Sequence, residues 1–286
     1  MSHVGHFLSP PRTETELAAG VLKIRKLFPL MQVKMQGTAL GYFGVQDMSH
    51  TKTVFSPAGT LLAERTVGEL VAEHPGLSRV FQAFDIGFCC QGGLTLKQAC
   101  ERKGVELDAM VRALEAEKAG REAPAQNPAE LESASLINYI VERHHGFLRE
   151  ELPRLHAMAQ RVAHVHGGHT PSLVELFHVF TKMAEELVDH AHQEESALFP
   201  AISQKANGST QHLPIEDPIQ AMINEHAETD QALARIRDLT RNYEPPVDAC
   251  NTYRALFAGL ADLDADLQQH IHLENNVLFP RVLQSA

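Results

Sequence analysis

The sequence predicts an all-α protein in which a small N-terminal helical domain over residues 60–119 precedes an up-down four-helix bundle over residues 131–286. Three observations predict this fold. Four long amphipathic segments follow residue 131, breaks that contain glycine or proline separate them, and a histidine-rich motif occurs twice at an interval of 80 residues. Short links favour antiparallel neighbours, which is the geometry of an up-down bundle.

The composition limits the class of protein. The chain has 286 residues, and 36 acidic against 25 basic residues give it a formal net charge of −11. Nucleic acids and anionic membranes bind to basic faces, so we expect neither as a partner. The sequence contains no run of about 18 apolar residues and no secretory signal, which predicts a cytoplasmic protein. Its 17 histidines favour a search for metal ligands.

Residues 1–59 show no sustained hydrophobic period. A basic amphipathic helix could form over residues 17–35, but Pro29 interrupts it. We expect this part of the chain to be a flexible arm or a translated upstream sequence, with Met48 as a plausible alternative start.

The small domain is predicted to consist of short helices. Thr66 can cap a helix over residues 67–73, which Pro75 and Gly76 end. Further helices are predicted over residues 77–85, 94–103 and 107–119. Residues 120–130 contain two prolines and few apolar side chains, so they are predicted to be a linker.

The bundle is predicted from the amphipathic period of its helices. These helices are expected over residues 131–163, 171–204, 218–243 and 248–283. The breaks between them contain glycine or two prolines: residues 166–169 (HGGH), 207–209 (NGS) and 245–246 (PP).

A repeated motif marks the candidate site. Residues 190–200 (HAHQEESALFP) and 270–280 (HIHLENNVLFP) both read His-x-His-x-Glu-x-x-x-Leu-Phe-Pro. A second pair, His145 and His226, stands at almost the same interval, so each half supplies one lone histidine and a later His-x-x-x-Glu. The two halves are therefore predicted to be duplicated helical hairpins related by approximate two-fold symmetry.

The spacing of the motif predicts metal binding. Residues i and i+4 share one face of a helix, so each His-x-x-x-Glu presents an imidazole and a carboxylate together. A single such pair is common by chance, but a matched second copy with its own lone histidine is not. Folding the hairpins together brings four imidazoles and two carboxylates into one core layer. The predicted metal ligands are His145, His190, Glu194, His226, His270 and Glu274.

The types of ligand predict the metal. Each carboxylate has two oxygens and can bridge two metal ions about 3.5 Å apart. Two histidines per ion, two bridging glutamates and a solvent-derived oxo or hydroxo bridge would give each ion five ligands. Mixed imidazole and carboxylate ligands favour iron, and manganese less so. The predicted cofactor is therefore a pair of iron ions, with an open position for a small ligand such as oxygen or nitric oxide.

Other polar residues near the motifs have two interpretations each. His192 and His272 stand at i+2 and lie on roughly the opposite face from the ligands, so we expect surface or second-layer positions. Glu186 and Asp266 lie one turn before a ligand, and they could hydrogen-bond ligands or be solvated helix charges. His144 could be the metal ligand in place of its neighbour His145. The histidines that could bind zinc or simply form an inter-helix loop are His164, His166 and His169.

Cys89 and Cys90 are neighbours in a glycine-rich turn. Adjacent Cα atoms are about 3.8 Å apart, which is short for a disulfide, so a disulfide between them would be strained and easily reduced. The two thiols could instead hold a soft metal or pass iron onward, or they could be ordinary small residues of a turn. We take them as the candidate catalytic residues. Cys100 and Cys250 are predicted to be packed within helices.

Together these residues resemble the ScdA/YtfE-type family of di-iron proteins that repair iron centres. The resemblance covers residues from about 60 to 286, and it rests on residues 85–93 (DIGFCCQGG), on the lone histidines and on the two long motifs. It implies a hemerythrin-like bundle with an oxo-bridged iron pair, in a bacterial cytoplasmic protein that donates iron to damaged iron–sulfur proteins after nitrosative or oxidative stress. Hemerythrins proper have an additional histidine and a bridging aspartate, and the absence of that additional ligand here favours iron release or nitric oxide chemistry over oxygen carriage.

Two alternatives remain open at the level of sequence. The iron pair could reduce nitric oxide, or the bundle could be a sensor or carrier of oxygen or nitric oxide without turnover. The oligomeric state is also open, and the chain could form a homodimer.

Overall fold

The computed structural model describes residues 62–120, 127–206 and 215–284. The prediction for residues 1–59 therefore lies outside the described residues. Four complete α-helices lie in the described part of the small domain: α1 (Val67–Glu73), α2 (Ser78–Ala83), α3 (Leu96–Lys103) and α4 (Leu107–Gly120). A 3₁₀ turn over Pro75–Leu77 links the first two. These helices match the predicted ones closely, whereas the boundaries proposed for the domains remain predictions.

Side-chain caps fix where the helices of the small domain begin. The hydroxyl of Thr66 accepts a hydrogen bond from the Glu69 backbone N–H (3.2 Å), and the Glu69 carboxylate accepts one from the Thr66 N–H (3.0 Å). Thr95 and Gln98 form the same capping box at the start of α3. Each box satisfies two backbone donors that a helix start leaves unpaired, which explains why the sequence located these helices correctly.

The bundle has seven α-helices within the described residues. They are α5 (Ser133–Tyr139), α6 (Gly146–His166), α7 (Ser172–Gln193), α8 (Phe199–Ala206), α9 (Glu216–Thr240), α10 (Asn251–Leu273) and α11 (Phe279–Gln284). Helices α5–α6, α7–α8 and α10–α11 are each joined without a break by a π-helical segment. With α9, they form the four long helices of the predicted all-α, up-down bundle, which is confirmed.

The ends of the long helices differ from the predicted ends by up to three residues. The third helix was expected to reach residue 243, but α9 ends at Thr240. The next three residues, Arg241, Asn242 and Tyr243, adopt left-handed conformations with φ of 52°, 58° and 63°. A right-handed helix cannot continue through such residues, and of the three side chains only that of Asn242 favours this conformation.

The three π-helical segments cover Ile140–His145, Glu194–Leu198 and Glu274–Leu278. In the last two, a phenylalanine N–H donates to a glutamate carbonyl five residues earlier instead of four: Phe199 to Glu194 and Phe279 to Glu274. A proline follows each phenylalanine and has no N–H for the regular ladder, which favours the wider turn. All three segments begin or end at a predicted metal ligand, and π-helical turns are frequent at functional sites.

The predicted ligands lie between two apolar clusters of the bundle. One cluster contains Leu148, Leu187 and Leu267, among others. The second includes Ile140 and Leu198 and lies on the other side of the ligand positions along the helices. A polar layer between two apolar clusters is thus held by packing on both sides. Within the described part of the chain, no helix is long and apolar enough to cross a membrane.

Candidate metal centre

The structure brings the six predicted ligands into one buried layer: His145, His190, Glu194, His226, His270 and Glu274. The Nε2 atoms of His145 and His270 lie 3.2 Å apart. Those of His190 and His226 lie 3.1 Å apart. Two nitrogens about 2.1 Å from one metal ion and at right angles to each other would be separated by about 3 Å. The imidazoles are therefore arranged as two pairs, each spaced like the ligands of one ion.

The carboxylate of Glu194 lies between the two histidine pairs. Its Oε2 atom is 3.3 Å from Nε2 of His145, a member of the first pair. Its Oε1 atom is 3.4 Å from Nε2 of His190, a member of the second pair. The two oxygens of one carboxylate thus face two different positions, which is the geometry of a bridging ligand.

Glu274 repeats this arrangement from the other half of the bundle. Its Oε1 atom is 3.0 Å from Nε2 of His270, and its Oε2 atom is 3.1 Å from Nε2 of His226. Each position therefore has two imidazole nitrogens and one oxygen from each carboxylate. In each of these two four-residue groups, all the ligand atoms lie within 4.8 Å of one another.

The carboxylate oxygens fit a pair of cations. Glu194 and Glu274 are fully buried, and both oxygens of Glu194 and Oε2 of Glu274 form no hydrogen bond within the described residues. A buried carboxylate without hydrogen bonds is unstable unless a cation neutralises it. The residues present therefore suit metal binding, as the sequence predicted, whereas the identity and number of the ions are matters of proposal.

Burial and the carboxylates act in opposite directions on the imidazoles. Burial lowers the pKa of His190, but the negative charges of Glu194 and Glu274 outweigh burial and raise the pKa to about 10. The pKa of His145 is raised in the same way. At His270 burial prevails and lowers the pKa. Burial raises the pKa of Glu274, but the neighbouring imidazoles lower it well below its usual range. The carboxylates are therefore ionised inside the core and attract cations.

Hydrogen bonds at Nδ1 orient three of the four imidazoles. Nδ1 of His145 donates to the Glu195 carboxylate (2.7 Å). Nδ1 of His226 donates to Oδ1 of Asn275 (2.8 Å). A proton on Nδ1 leaves the lone pair on Nε2 free to bind a metal, so these acceptors select the tautomer that the site needs.

The acceptors Glu195 and Asn275 were not predicted from the sequence. Each is the residue after a predicted bridging glutamate, so both halves of the bundle use the same motif position for the same task. The equivalence of the two positions is not apparent in the sequence, because Glu195 has a carboxylate and Asn275 has an amide. A third acceptor is Glu225, whose carboxylate accepts a 2.7 Å hydrogen bond from Nδ1 of His190.

The phenylalanine of each Leu-Phe-Pro motif supports a lone histidine. The rings of Phe199 and His145 are stacked with centroids 5.9 Å apart, and those of Phe279 and His226 with centroids 6.2 Å apart. The same contact therefore occurs in both hairpins. It gives a physical reason for the repetition of this motif beside the ligands.

The small domain contacts the bundle beside the ligand layer. The thiol of Cys90 donates to the backbone carbonyl of His226 across 3.6 Å. The side-chain amide of Asn276, two residues after the predicted ligand Glu274, donates to the carbonyl of Cys89 (2.9 Å). Ile271 from α10 completes the apolar core of the small domain. The cysteine turn therefore lies directly against two of the helices that supply ligands.

Both cysteines of the turn are free thiols. Cys89 is buried, and its pKa is raised well above the usual range by a hydrogen bond with Cys90 and by burial. The predicted role of the pair in catalysis or iron transfer remains a prediction. Among the other cysteines, Cys100 is buried as expected, but Cys250 is exposed at the start of α10. The prediction that Cys250 is packed was wrong because it precedes the helix instead of lying within it.

The two i+2 histidines differ from each other. His192 is exposed, as a surface position requires. His272 is buried, and its ring packs edge-on against Phe88 of the small domain, with centroids 5.7 Å apart. Burial lowers the pKa of His272 to about 4, so it is a neutral packing residue. The small domain covers this face in the second half of the bundle only.

The remaining candidates lie outside the ligand groups. The Asp266 carboxylate accepts a 3.1 Å hydrogen bond from Nδ1 of His144, while Glu186 is exposed and pairs with Lys182 at 3.3 Å. Within the described residues, neither metal-binding group includes the histidines at the α6–α7 turn, His164, His166 and His169.

Two family models match the chain. The family described as "Hemerythrin HHE cation binding domain" matches residues 136–282, which is the bundle. The family described as "Domain of Unknown function (DUF542)", the ScdA_N family, matches residues 63–118, which is the small domain. The order of the two agrees with the expected resemblance.

The chain is also similar to proteins named iron–sulfur cluster repair protein YtfE. It is 37% identical over 221 residues to the protein of that name from Musicola paradisiaca (strain Ech703), and the match covers 77% of this chain and 97% of the relative. Proteins of the same name from Yersinia pseudotuberculosis (serotype O:3, strain YPIII) and Yersinia pestis (strain Pestoides F) are each 37% identical over 223 residues, with the same coverage. Both domains are therefore shared with these relatives, and the chain belongs to the YtfE-type, hemerythrin-like family of iron–sulfur cluster repair proteins.

Proposed function

We propose that this chain holds two iron ions in its bundle and donates iron to iron–sulfur proteins whose clusters have been damaged by nitrosative or oxidative stress. His145 and His270 would hold one ion, His190 and His226 the other, and Glu194 and Glu274 would bridge them. The ions are the cargo of the reaction. The relatives named for cluster repair support this function over nitric oxide reduction or ligand sensing.

The observation that supports this proposal most strongly is that two carboxylates are shared by two histidine pairs. Each predicted ion has two histidine ligands of its own, and it shares its two glutamate ligands with the second ion. Few metal–ligand bonds must break before an ion held in this way leaves the protein. Such weak retention is suited to an iron donor and unsuited to a structural metal site. Imidazole and carboxylate ligands also suit iron.

The cysteine turn supports a route for transfer. Sulfur is a ligand of iron in iron–sulfur clusters, and the Cys90 thiol lies 3.6 Å from the backbone of the ligand His226. We propose that Cys89 and Cys90 bind iron as it passes from the bundle to a client protein. The client is a damaged iron–sulfur protein, and the transfer would take place in the cytoplasm.

Recovery of a damaged cluster enzyme tests the proposal. An enzyme whose [4Fe–4S] cluster has been destroyed by nitric oxide is incubated with the iron-loaded chain, a sulfide source and a reductant. We expect activity to return faster than with the same concentration of free ferrous iron. The double variant Cys89→Ser/Cys90→Ser should slow the recovery, whereas Cys250→Ser, which changes an exposed thiol elsewhere, should not.

Two results would contradict iron donation. Recovery no faster than with free iron would exclude a transfer step by the protein. Formation of nitrous oxide by the reduced protein, without any recovery of the enzyme, would favour the nitric oxide reductase alternative instead.

A further inference from the structure

The two predicted metal positions differ in the hydrogen bonds behind their histidines. At the position of His190 and His226, both Nδ1 atoms have an acceptor: Glu225 at 2.7 Å and Asn275 at 2.8 Å. We call this the supported position. Each of its imidazoles is fixed in orientation and in tautomer by a neighbour outside the ligand set.

At the position of His145 and His270, one of these hydrogen bonds is missing. Nδ1 of His145 donates to Glu195, but Nδ1 of His270 is buried and has no hydrogen-bond partner within the described residues. We call this the unsupported position. A buried N–H without an acceptor is destabilising, and it must be present whenever Nε2 of the same ring binds a metal.

The repeat explains why the acceptor is missing. Glu225, which supports His190, is the residue before the lone histidine of the second half. The corresponding residue in the first half is His144. Its ring is stacked on that of His270, with centroids 5.3 Å apart and planes at 7°, so their nitrogens do not point at each other. Its Nδ1 donates to Asp266 instead.

The single acceptor at the unsupported position is itself shared. The carboxylate of Glu195 also forms an ion pair with Arg149, through the same Oε1 atom that accepts from His145. Part of its negative charge is therefore compensated by the guanidinium, and less of it acts on the imidazole. Both features reduce the basicity of the imidazoles at this position, and a less basic ligand binds a cation more weakly.

We propose that the ion held by His145 and His270 is the one that the protein gives up first. The ion at the supported position stays behind. This inference rests on the proposed function for its biological meaning, because it names which of two irons is donated. Loss of an outer hydrogen bond to a metal ligand typically costs 10- to 100-fold in affinity, so we expect the two ions to leave at rates that differ by at least about tenfold.

Release to a chelator tests the inference directly. The chain loaded with two ferrous ions is mixed with an excess of a coloured ferrous chelator, and the iron released per chain is followed with time. We expect two phases of one ion each. A single phase that releases both ions would overturn the proposal.

Variants assign the phases to positions. Asn275→Leu removes the acceptor of His226, so it should accelerate the slow phase and leave the fast phase unchanged. Acceleration of the fast phase instead would show that the supported position empties first and would overturn the proposal. Glu186→Gln is the control. Glu186 is exposed on α7, outside the ligand groups, so this variant should change the rate of neither phase.

A gain of support should have the opposite effect. In His144→Gln, the new amide can accept a hydrogen bond from Nδ1 of His270 and still donate one to Asp266. The rate of the fast phase should therefore decrease towards the rate of the slow phase. A fast phase that is unchanged in a variant with its full iron content would count against the explanation. If His144→Gln does not retain iron, the result for Asn275→Leu decides which position empties first.

The chelator experiment separates this inference from the proposed function. It needs no client protein, so two phases without any recovery of a damaged enzyme would support unequal positions and contradict donation. Recovery of the enzyme together with single-phase release would support donation and contradict the inference.

Discussion

The side-chain amide of Asn276 donates a hydrogen bond of 2.9 Å to the backbone carbonyl of Cys89. The same amide lies 3.3 Å from the carbonyl of Phe88. A Cβ atom built on Gly92 would lie only 2.2 Å from Oδ1 of this side chain, so the backbone of the turn can approach Asn276 only because residue 92 is glycine. The Asn276 side chain, from the π-helical segment that begins at Glu274, thus holds the turn with the two cysteines against the predicted metal ligands.

Replacing Asn276 by aspartate should release the cysteine turn. Asn276→Asp keeps the shape of the side chain but places a carboxylate oxygen against two carbonyl oxygens, so attraction becomes repulsion. An unpaired buried polar group costs about 1–3 kcal/mol, and we expect Cys90 to be alkylated roughly tenfold faster in the variant. Mass spectrometry of the alkylated peptide measures the rate.

The equivalent position in the first half provides the control for this experiment. Ser196 is exposed, so Ser196→Ala should leave the alkylation rate unchanged. An unchanged rate in Asn276→Asp would show that the amide does not hold the turn.

Removing either bridging carboxylate should empty at least one metal position. In Glu194→Ala or Glu274→Ala, both positions lose an oxygen ligand, because each carboxylate faces both histidine pairs. Iron analysis of the purified variants measures the content per chain. The exposed His192→Ala is the control and should bind as much iron as the parent. If His192→Ala lost iron and the glutamate variants retained it, the assignment of the ligand face would be wrong.

The thiol of Cys89 should ionise only at high pH. A hydrogen bond with Cys90 and burial both raise its pKa well above the ordinary value of a cysteine thiol. Because alkylation requires the thiolate, the alkylation rate of Cys89 in the folded protein should still be rising above pH 9, whereas the unfolded chain should level off earlier. A pH–rate profile of the peptide that contains Cys89 measures this. Coincident profiles of folded and unfolded chains would contradict the packing described for the turn.

A partly buried tyrosine should limit stability in alkali. The hydroxyl of Tyr243 donates to Asp264 (2.7 Å), and burial together with this carboxylate raises the pKa of the phenol far above its ordinary value of about 10. The unfolded chain can lose this proton above about pH 10 and the folded chain cannot. The contribution of Tyr243 to stability is therefore complete below pH 10 and is lost as the pH rises further.

The variant Tyr243→Phe separates this effect from others. It should lower the free energy of unfolding at pH 8 by about 1.5–3 kcal/mol, because a hydrogen bond to a charged group is lost. It should also make the loss of stability between pH 9 and 11 shallower than in the parent. Urea unfolding at several pH values measures both, and parallel pH curves for the parent and the variant would refute the role of Tyr243.

The sequence predicted the helices and the convergence of the six ligand side chains because both depend on local periodicity. The capping residue Thr66 located the start of α1, and the i, i+4 spacing placed imidazole and carboxylate on one face. The 80-residue repeat then related the two hairpins. These are properties of single helices and of their duplication, and they need no knowledge of how the chain folds further.

What the sequence did not reveal depends on contacts between helices and between domains. His192 and His272 occupy the same motif position, yet only His272 is buried, because the small domain covers one half of the bundle. The support of His226 by Asn275 likewise depends on which helices are neighbours. A two-fold repeat in the sequence cannot show where the folded molecule departs from two-fold symmetry.

The most direct test is a crystal structure of the iron-loaded protein, with an anomalous difference map recorded at the iron absorption edge. The account predicts two peaks about 3.5 Å apart, each next to one histidine pair, with Glu194 and Glu274 between them. A single peak, or peaks away from these side chains in a correctly folded bundle, would contradict it.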